Sequence, residues 1–463
     1  MAIITVVGAS GGNVQVTVDG SDTATLVQQA NALSAKLSGE IGSLDARNLA
    51  AGTTTFSGNQ SGYGVITAAG SYKVGGNAEW LSVGSDAASN PSAALNGWVN
   101  IDASKGTSNL TVLGGTNAGI SFRAGSQSGT FLAGSGDNLF QGSNLSNAGN
   151  WTINTGDGND IINSGNGNNT ISAGAGENTI TLGRGVNYVH SYGQDTITAD
   201  AGVQNITLNG ASSFVDVADN SLVVDNAGYQ QITVGGGSTV TGGSYDYINL
   251  AGTTGTVNGG QLSTISAATG DFQVTQTDQA NIDIAGNLTF IRGTGQTTIT
   301  AGQSTIFGAQ GLDAIVNSTS GTSLFVANSG NETLDGASSV FGIHAFGNVA
   351  GTTGSQLFIG GSASDTLVGG VGDATLTGGS GAANVFGFRN SIAGGNYTIT
   401  DFGSAAGNTV LLVDYDYTKS DFQKVLDAAA HQNGNTTITL SDNSKITFTG
   451  VDSLSVSDFS NLK

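Results

Sequence analysis

Branched apolar residues return at steps of eight or nine through the middle of the chain: Ile206, Val215, Val223, Ile232, Val240, Ile248, Val257, Ile265, Val274, Ile282, Phe290 and Ile299. A helix repeats its apolar face about every 3.6 residues and a strand about every 2, so neither element alone makes that beat. Two steps make one coil of about 17 or 18 residues. Coils stacked at the inter-strand spacing of about 4.8 Å bury such residues in a shared core, with polar residues between them facing out or turning. The reading is all-β, a parallel β-solenoid of the β-roll or β-helix kind.

Toward the chain ends the beat is joined by glycine. From Thr155 the sequence reads TGDGNDIIN, SGNGNNTIS, AGAGENTIT, LGRGVNYVH, four nine-residue units with Gly at the second and fourth places and Ile162, Ile171, Ile180 and Val189 at the eighth. From Gly360 it reads GGSASDTLV, GGVGDATLT, GGSGAANVF, with Leu367, Leu376 and Val385 at the eighth. AGSGDNLFQ, from Ala133 to Gln141, anticipates the first array across an insertion from Gly142 to Asn154. Paired glycines supply tight turns, and a lone inward residue marks a strand too short to form a core without stacking.

These units resemble the glycine-rich nonapeptide repeats of the RTX family, G-G-x-G-x-D-x-U-x, whose β-roll binds calcium. The sixth place decides the metal question. Asp160 and Asp365 fill it with the consensus residue; Asn138, Asn169, Asn178, Asn187, Ala374 and Ala383 do not. Calcium affinity rises with ligand charge, so the resemblance implies few and weak sites, near Asp157/Asp160 and near Asp365/Asp373. Elsewhere Asn168, Asn169, Asn178 and Asn187 are expected to form amide ladders along the stack.

Small α/β caps are expected at both ends. Near the N-terminus, Ile3 to Val7 and Val14 to Val18 read as a strand pair. A helix capped by Ser21 or Asp22 follows, with Leu26, Ala30, Leu33 and Leu37 on one stripe, covering the end of the stack. At the other end, from Asn384, an I-T-D-F segment (Ile399 to Phe402) leads to a helix from Ser420 to Gln432. The strands Thr436 to Leu440 and Lys445 to Thr449 and a final GVDSLSVSDFSNLK complete the chain. This order resembles the terminal module of proteins exported by bacterial type I secretion, and implies an uncleaved export signal and an extracellular or cell-surface location. The expected organisation is residues 1–57 as N-terminal cap, 58–108 as an irregular β segment, 109–386 as solenoid and 387–463 as C-terminal cap and secretion-like module. The short β-like pieces of the second segment carry Trp80 and Trp98; with Trp151 they read as buried packing residues.

Composition narrows the function. Among 463 residues there are 75 Gly, no Cys and only 12 Lys and Arg against 33 Asp and Glu, a formal charge of −21. That balance argues against nucleic acid or an anionic membrane as partner. No apolar run is long enough to span a membrane, and MAIITVVGAS lacks a basic leader region, so no cleavable leader is expected. His190, His344 and His431 are far apart, no catalytic motif is present, and Arg292 is the sole Lys or Arg between Arg184 and Arg389. The reading is non-enzymatic: a secreted structural or adhesive protein of a bacterial surface layer or biofilm matrix, self-assembling as a homo-oligomer, filament or lattice. A polysaccharide- or ice-binding module is the alternative, and a polysaccharide-modifying enzyme a lesser one. Cell-surface polysaccharide and the type I secretion machinery are the expected partners. The Thr pairs 239/241, 254/256 and 298/300 are too unevenly spaced for an ice-binding ladder.

Overall fold

The protein is described from a computed structural model covering residues 2–18, 23–86, 94–134, 136–328, 330–347, 354–390 and 395–463. It divides into two compact units, Met1–Gly243 and Ser244–Lys463. The proposed helix caps Ser21 and Asp22 lie outside the described residues.

In the first unit, β1 (Ala2–Val7) and β2 (Asn13–Val18) pair antiparallel, and α1 (Thr23–Glu40) packs beside them. The predicted stripe is the buried one. Leu26, Ala30 and Leu37 join Ile4, Val6, Val14, Val16 and Val18, with Leu33 packed at the margin. Tyr63, Val65, Trp80, Leu113 and Leu132 complete the same cluster, so the cap closes directly onto the first coils.

Parallel pairing begins at Asp45–Asn48, which lies against Gly62–Ile66, far earlier than Asn109. The segment read as irregular is therefore part of the stack. Its period is hidden in the sequence because turns of unequal length separate strands whose registers shift at Gly62/Tyr63 and Lys73/Gly75. From there most strands bond to the one two further along the chain, giving two interleaved parallel ladders. Gly129–Ala133 pairs with Trp151–Thr155 and Leu139–Gln141 with Ile161–Asn163. The insertion after Gly142 thus contributes a regular strand, Trp151–Thr155.

The second unit repeats this logic. Tyr247–Leu250 pairs with Thr264–Ala267, and Thr254–Asn258 with Asp271–Thr275. Toward its end Asn396–Ile399 lies parallel to Lys445–Phe448, which also forms an antiparallel hairpin with Asn435–Thr439. Here α2 is shorter than expected. It runs Lys419–Asp427, capped by Thr418, whose hydroxyl accepts the Asp421 N–H. Ala430–Gln432 is a strand, because Asn433 and Gly434 both take positive φ (54° and 76°) and turn the chain into a hairpin with Asn435–Thr439.

All twelve residues of the eight-or-nine beat, from Ile206 to Ile299, are buried. Each contributes about 1.5–3 kcal/mol of burial before conformational entropy is subtracted, so no coil is stable alone. The core is more aromatic than a purely branched one. Phe122, Phe131, Phe140 and Trp151 form a cluster, with Phe122 and Phe140 stacked at 5.6 Å and Phe140 edge-on to Trp151 at 5.3 Å. Trp80 and Trp151 are buried as expected. Trp98 is not: it is 44% exposed.

Candidate functional site

The turns of the first array place an inner and an outer row of side chains along each of two edges of the stack. The inner row is the sixth place. Asn138 N–H donates to Asp160 Oδ1 (2.7 Å), Asp160 N–H to Asn178 Oδ1 (2.9 Å), Asn178 N–H to Asp195 Oδ1 (3.0 Å), Asp195 N–H to Ser213 Oγ (3.0 Å) and Ser213 N–H to Gln230 Oε1 (2.6 Å). The opposite edge carries the same device, with Trp151 N–H on Asn169 Oδ1 and Asn169 N–H on Asn187 Oδ1. The outer rows, one on each edge, run the other way: Asn168 Oδ1 accepts Val186 N–H on one, and Asn159 Oδ1 accepts Glu177 N–H on the other. The expected asparagine ladders are therefore present. They work by capping turn N–H groups that have no strand partner, which a buried turn requires.

Glycine makes this close stacking feasible. Gly176 sits at φ 128°, and a Cβ there would stand 2.1 Å from Gly158 O, below any van der Waals contact. Each turn presents its carbonyl oxygens to the turn of the next coil.

The four predicted metal residues fall into two different situations. Asp157 and Asp160 share one turn. Asp157 Oδ1 accepts Ala175 N–H, and Asp160 Oδ1 takes both the N–H and Nδ2 of Asn138. Asp160 Oδ2 is fully buried and has no hydrogen-bond partner, the Thr155 hydroxyl lying near but outside bonding geometry. Burial pushes the Asp160 carboxyl up to about 6, against the partial pull of Thr155 and the Asn138 donors. Asp365 and Asp373 have no partner in common. Asp365 has both oxygens engaged, Oδ1 by Ile343 N–H and Oδ2 by Gly361 N–H, while Asp373 Oδ1 accepts from Asn396. Burial lifts Asp365 to about 6 as well, and raises Asp195.

Calcium takes six to eight hard oxygen ligands. The first turn fits that demand in kind, with two carboxylates, one of them carrying an orphaned buried oxygen, and glycine carbonyls packed along the stack. Carbonyls must supply most of the ligands, since no group of three or more acidic or histidine side chains converges among the described residues. At Asp365 the oxygens already face N–H donors, which is the environment of a structural carboxylate.

The second array also differs in register. Leu367 pairs with Phe386, one residue beyond Val385, so Phe386 is buried and Val385 is turned outward. The same slip puts Asn384, not Ala383, in the inner column. Asp365 N–H donates to Asn384 Oδ1 and Asn384 N–H to Asn408 Oδ1, both at 2.8 Å.

Residues considered for other chemistry stay apart. His190 lies in register with Ser172 and Thr207, His344 with Leu324 and Thr366, and His431 Nδ1 meets the Thr436 hydroxyl. Thr239 and Thr241 face Leu222 and Val224, and Thr254 and Thr256 face Asp271 and Gln273, so these pairs build no threonine rows. Thr179/Thr181 and Thr196/Thr198 do stack, but Ile161/Asn163 and Phe214/Asp216 bound them on either side. No helix among the described residues is long and apolar enough to cross a membrane.

Comparison with known families matches the RTX calcium-binding nonapeptide repeat in four copies, over residues 152–189 and 351–383. No curated protein and no solved structure matches significantly.

Proposed function

We propose that this chain, an RTX-like repeat protein with calcium-binding nonapeptide repeats and a β-solenoid fold, is a secreted, non-catalytic structural or adhesive component that self-assembles on a bacterial surface or in an extracellular matrix. The observation that carries the reading is the combination of an in-register outward column of short polar side chains, Asn163, Thr181, Thr198, Asp216 and Thr233, with a formal charge of −21. Regular faces are self-complementary over many coils, and heterologous contact between them propagates into filaments or lattices. Copies of like charge repel, so association needs cations.

Calcium when bound supplies a divalent charge shared by carboxylate and carbonyl oxygens of the turns. Asp157 and Asp160 would hold it in the first array. Asp365 and Asp373 are the corresponding carboxylates of the second, where a bound ion would have to displace N–H donors. The extracellular location, with export by a type I machinery, is supported by the repeats and by the order of elements from Asn384 onward.

Electron microscopy of the purified chain, dialysed in parallel against calcium and a chelator, tests this. Ordered filaments or sheets in calcium are expected, with loss in chelator. A protein that stays monomeric by light scattering at high concentration under both conditions overturns the assembly reading.

A further inference from the structure

One outward face of the first unit departs from the acidic character of the chain. Lys73 lies in register with Asp102, Asp102 with Arg123, and Arg123 with Gln141. Lys105 stands on the same strand as Asp102, Val99–Gly106. Lys73, Lys105 and Arg123 are exposed, and among the described residues none of their head groups has a carboxylate within ion-pair distance. Three cations thus surround a single carboxylate. Beyond them the column runs through Asn163, Thr181 and Thr198 before meeting another acid, Asp216.

The same face carries the exposed tryptophan. Val99 and Ile101 point inward, so Trp98, Asn100 and Asp102 share the outer side. Along the strand Trp98 and Asp102 are about 13 Å apart. Asn100 is flanked by Ser71 and Ser121 on the neighbouring strands. Past Arg123 a groove of about 440 Å³ opens, lined by Ser104, Gln141, Ser143 and Asn144. A large aromatic body left in water amid amide and hydroxyl groups, and cations without a carboxylate partner among the described residues, are two independent signs of a ligand.

We propose that this face binds a carboxylate-bearing polysaccharide, Trp98 stacking on a sugar ring while Arg123, Lys73 and Lys105 pair with the carboxylates. The amides and hydroxyls between them suit sugar hydroxyls, which an acidic peptide lacks. A nucleic acid needs more phosphate contacts than three cations provide on so acidic a protein. This site rests on features separate from those behind assembly, so either can fail alone.

The test is calorimetric titration of the full chain with polygalacturonate, in chelator to prevent calcium bridges and at about 0.15 M salt, where the Debye length of about 8 Å screens the overall repulsion. Binding is expected, with neutral dextran inert. Trp98→Ala and Arg123→Gln should each weaken it on the order of tenfold, Arg123→Lys less, and Lys445→Gln not at all. All are surface changes, and unchanged circular dichroism and melting temperature establish that the variants fold. Absence of binding, equal binding of dextran, or binding of polyglutamate as tight as that of polygalacturonate and indifferent to Trp98→Ala overturns the proposal.

Discussion

The N–H and Nδ2 of Asn138 both donate to Oδ1 of Asp160, at 2.7 and 3.0 Å, while Oδ2 of the same carboxylate is buried without a partner. The next inner-column position along this edge is Asn178. At the equivalent place on the other edge, Asn169 donates Nδ2 to Gly167 O and to Asn187 Oδ1. An amide at position 160 would keep the acceptor and turn the orphaned oxygen into a donor. Asp160→Asn should therefore stabilise the calcium-free protein at neutral pH by roughly 1–3 kcal/mol, since it removes an uncompensated buried charge. Urea denaturation in chelator measures this, and a loss of stability would show that the carboxylate is better satisfied than its geometry indicates.

The pH dependence follows from the same burial. Asp160 and Asp365 ionise near 3.8 when unfolded and near 6 when folded. Between those values the folded chain holds more protons, so stability falls as pH rises through the window and is level above it. Burial raises Asp195 as well, which adds to the same slope, while Asp45, Asp102 and Asp421 are shifted the other way but lie near the surface and weigh little. In chelator, the melting temperature should be higher at pH 4.5 than at pH 7.5, and the double variant Asp160→Asn/Asp365→Asn should flatten the slope. General charge repulsion has the same sign, so an undiminished slope in that variant would assign the effect to net charge instead.

Two glycines make a paired test of the turn argument. Gly176→Ala must place a Cβ against Gly158 O at φ 128° and should cost about 2 kcal/mol or more. Gly39→Ala, in α1 with nothing within 4 Å, should gain up to about 1 kcal/mol. Equal effects in thermal melts would mean that the turns of successive coils are not in contact.

Much of this architecture was legible from spacing alone, because one branched residue per half-coil must point inward wherever stacking is the only source of a core. Val215 and Ile265 are buried for that reason, without any glycine signature beside them. The inner column was legible only where it is asparagine. Ser213 and Gln230 serve the same acceptor role with other side chains, and residue identity gives no sign of a role defined by a neighbouring coil's N–H. A strict nine-residue count also misplaced Val385 and Ala383, since the stack admits a 19-residue step from Leu367 to Phe386. Trp98 was misread because its outward phase depends on the register of Val99 with Gly70 and Ile120, which composition does not encode.

Calcium separates the two situations of the repeat carboxylates. A ligand that binds only the folded state adds RT ln(1 + [L]/Kd), about 2.7 kcal/mol at a hundredfold excess over Kd. The melting temperature should therefore rise with added calcium and fall back in chelator. If Asp157 and Asp160 hold the ion, Asp160→Asn should lose the calcium increment while being the more stable protein in chelator, a reversal that a purely structural residue does not produce. Asp365→Asn should retain the increment, because the Asp365 oxygens are engaged by Ile343 and Gly361 N–H groups. Protonation competes with the ion, so the increment should shrink below about pH 6, where Asp160 becomes neutral. Differential scanning calorimetry of the three proteins in calcium and in chelator decides the matter, and a calcium increment that survives Asp160→Asn would move the ion away from this turn.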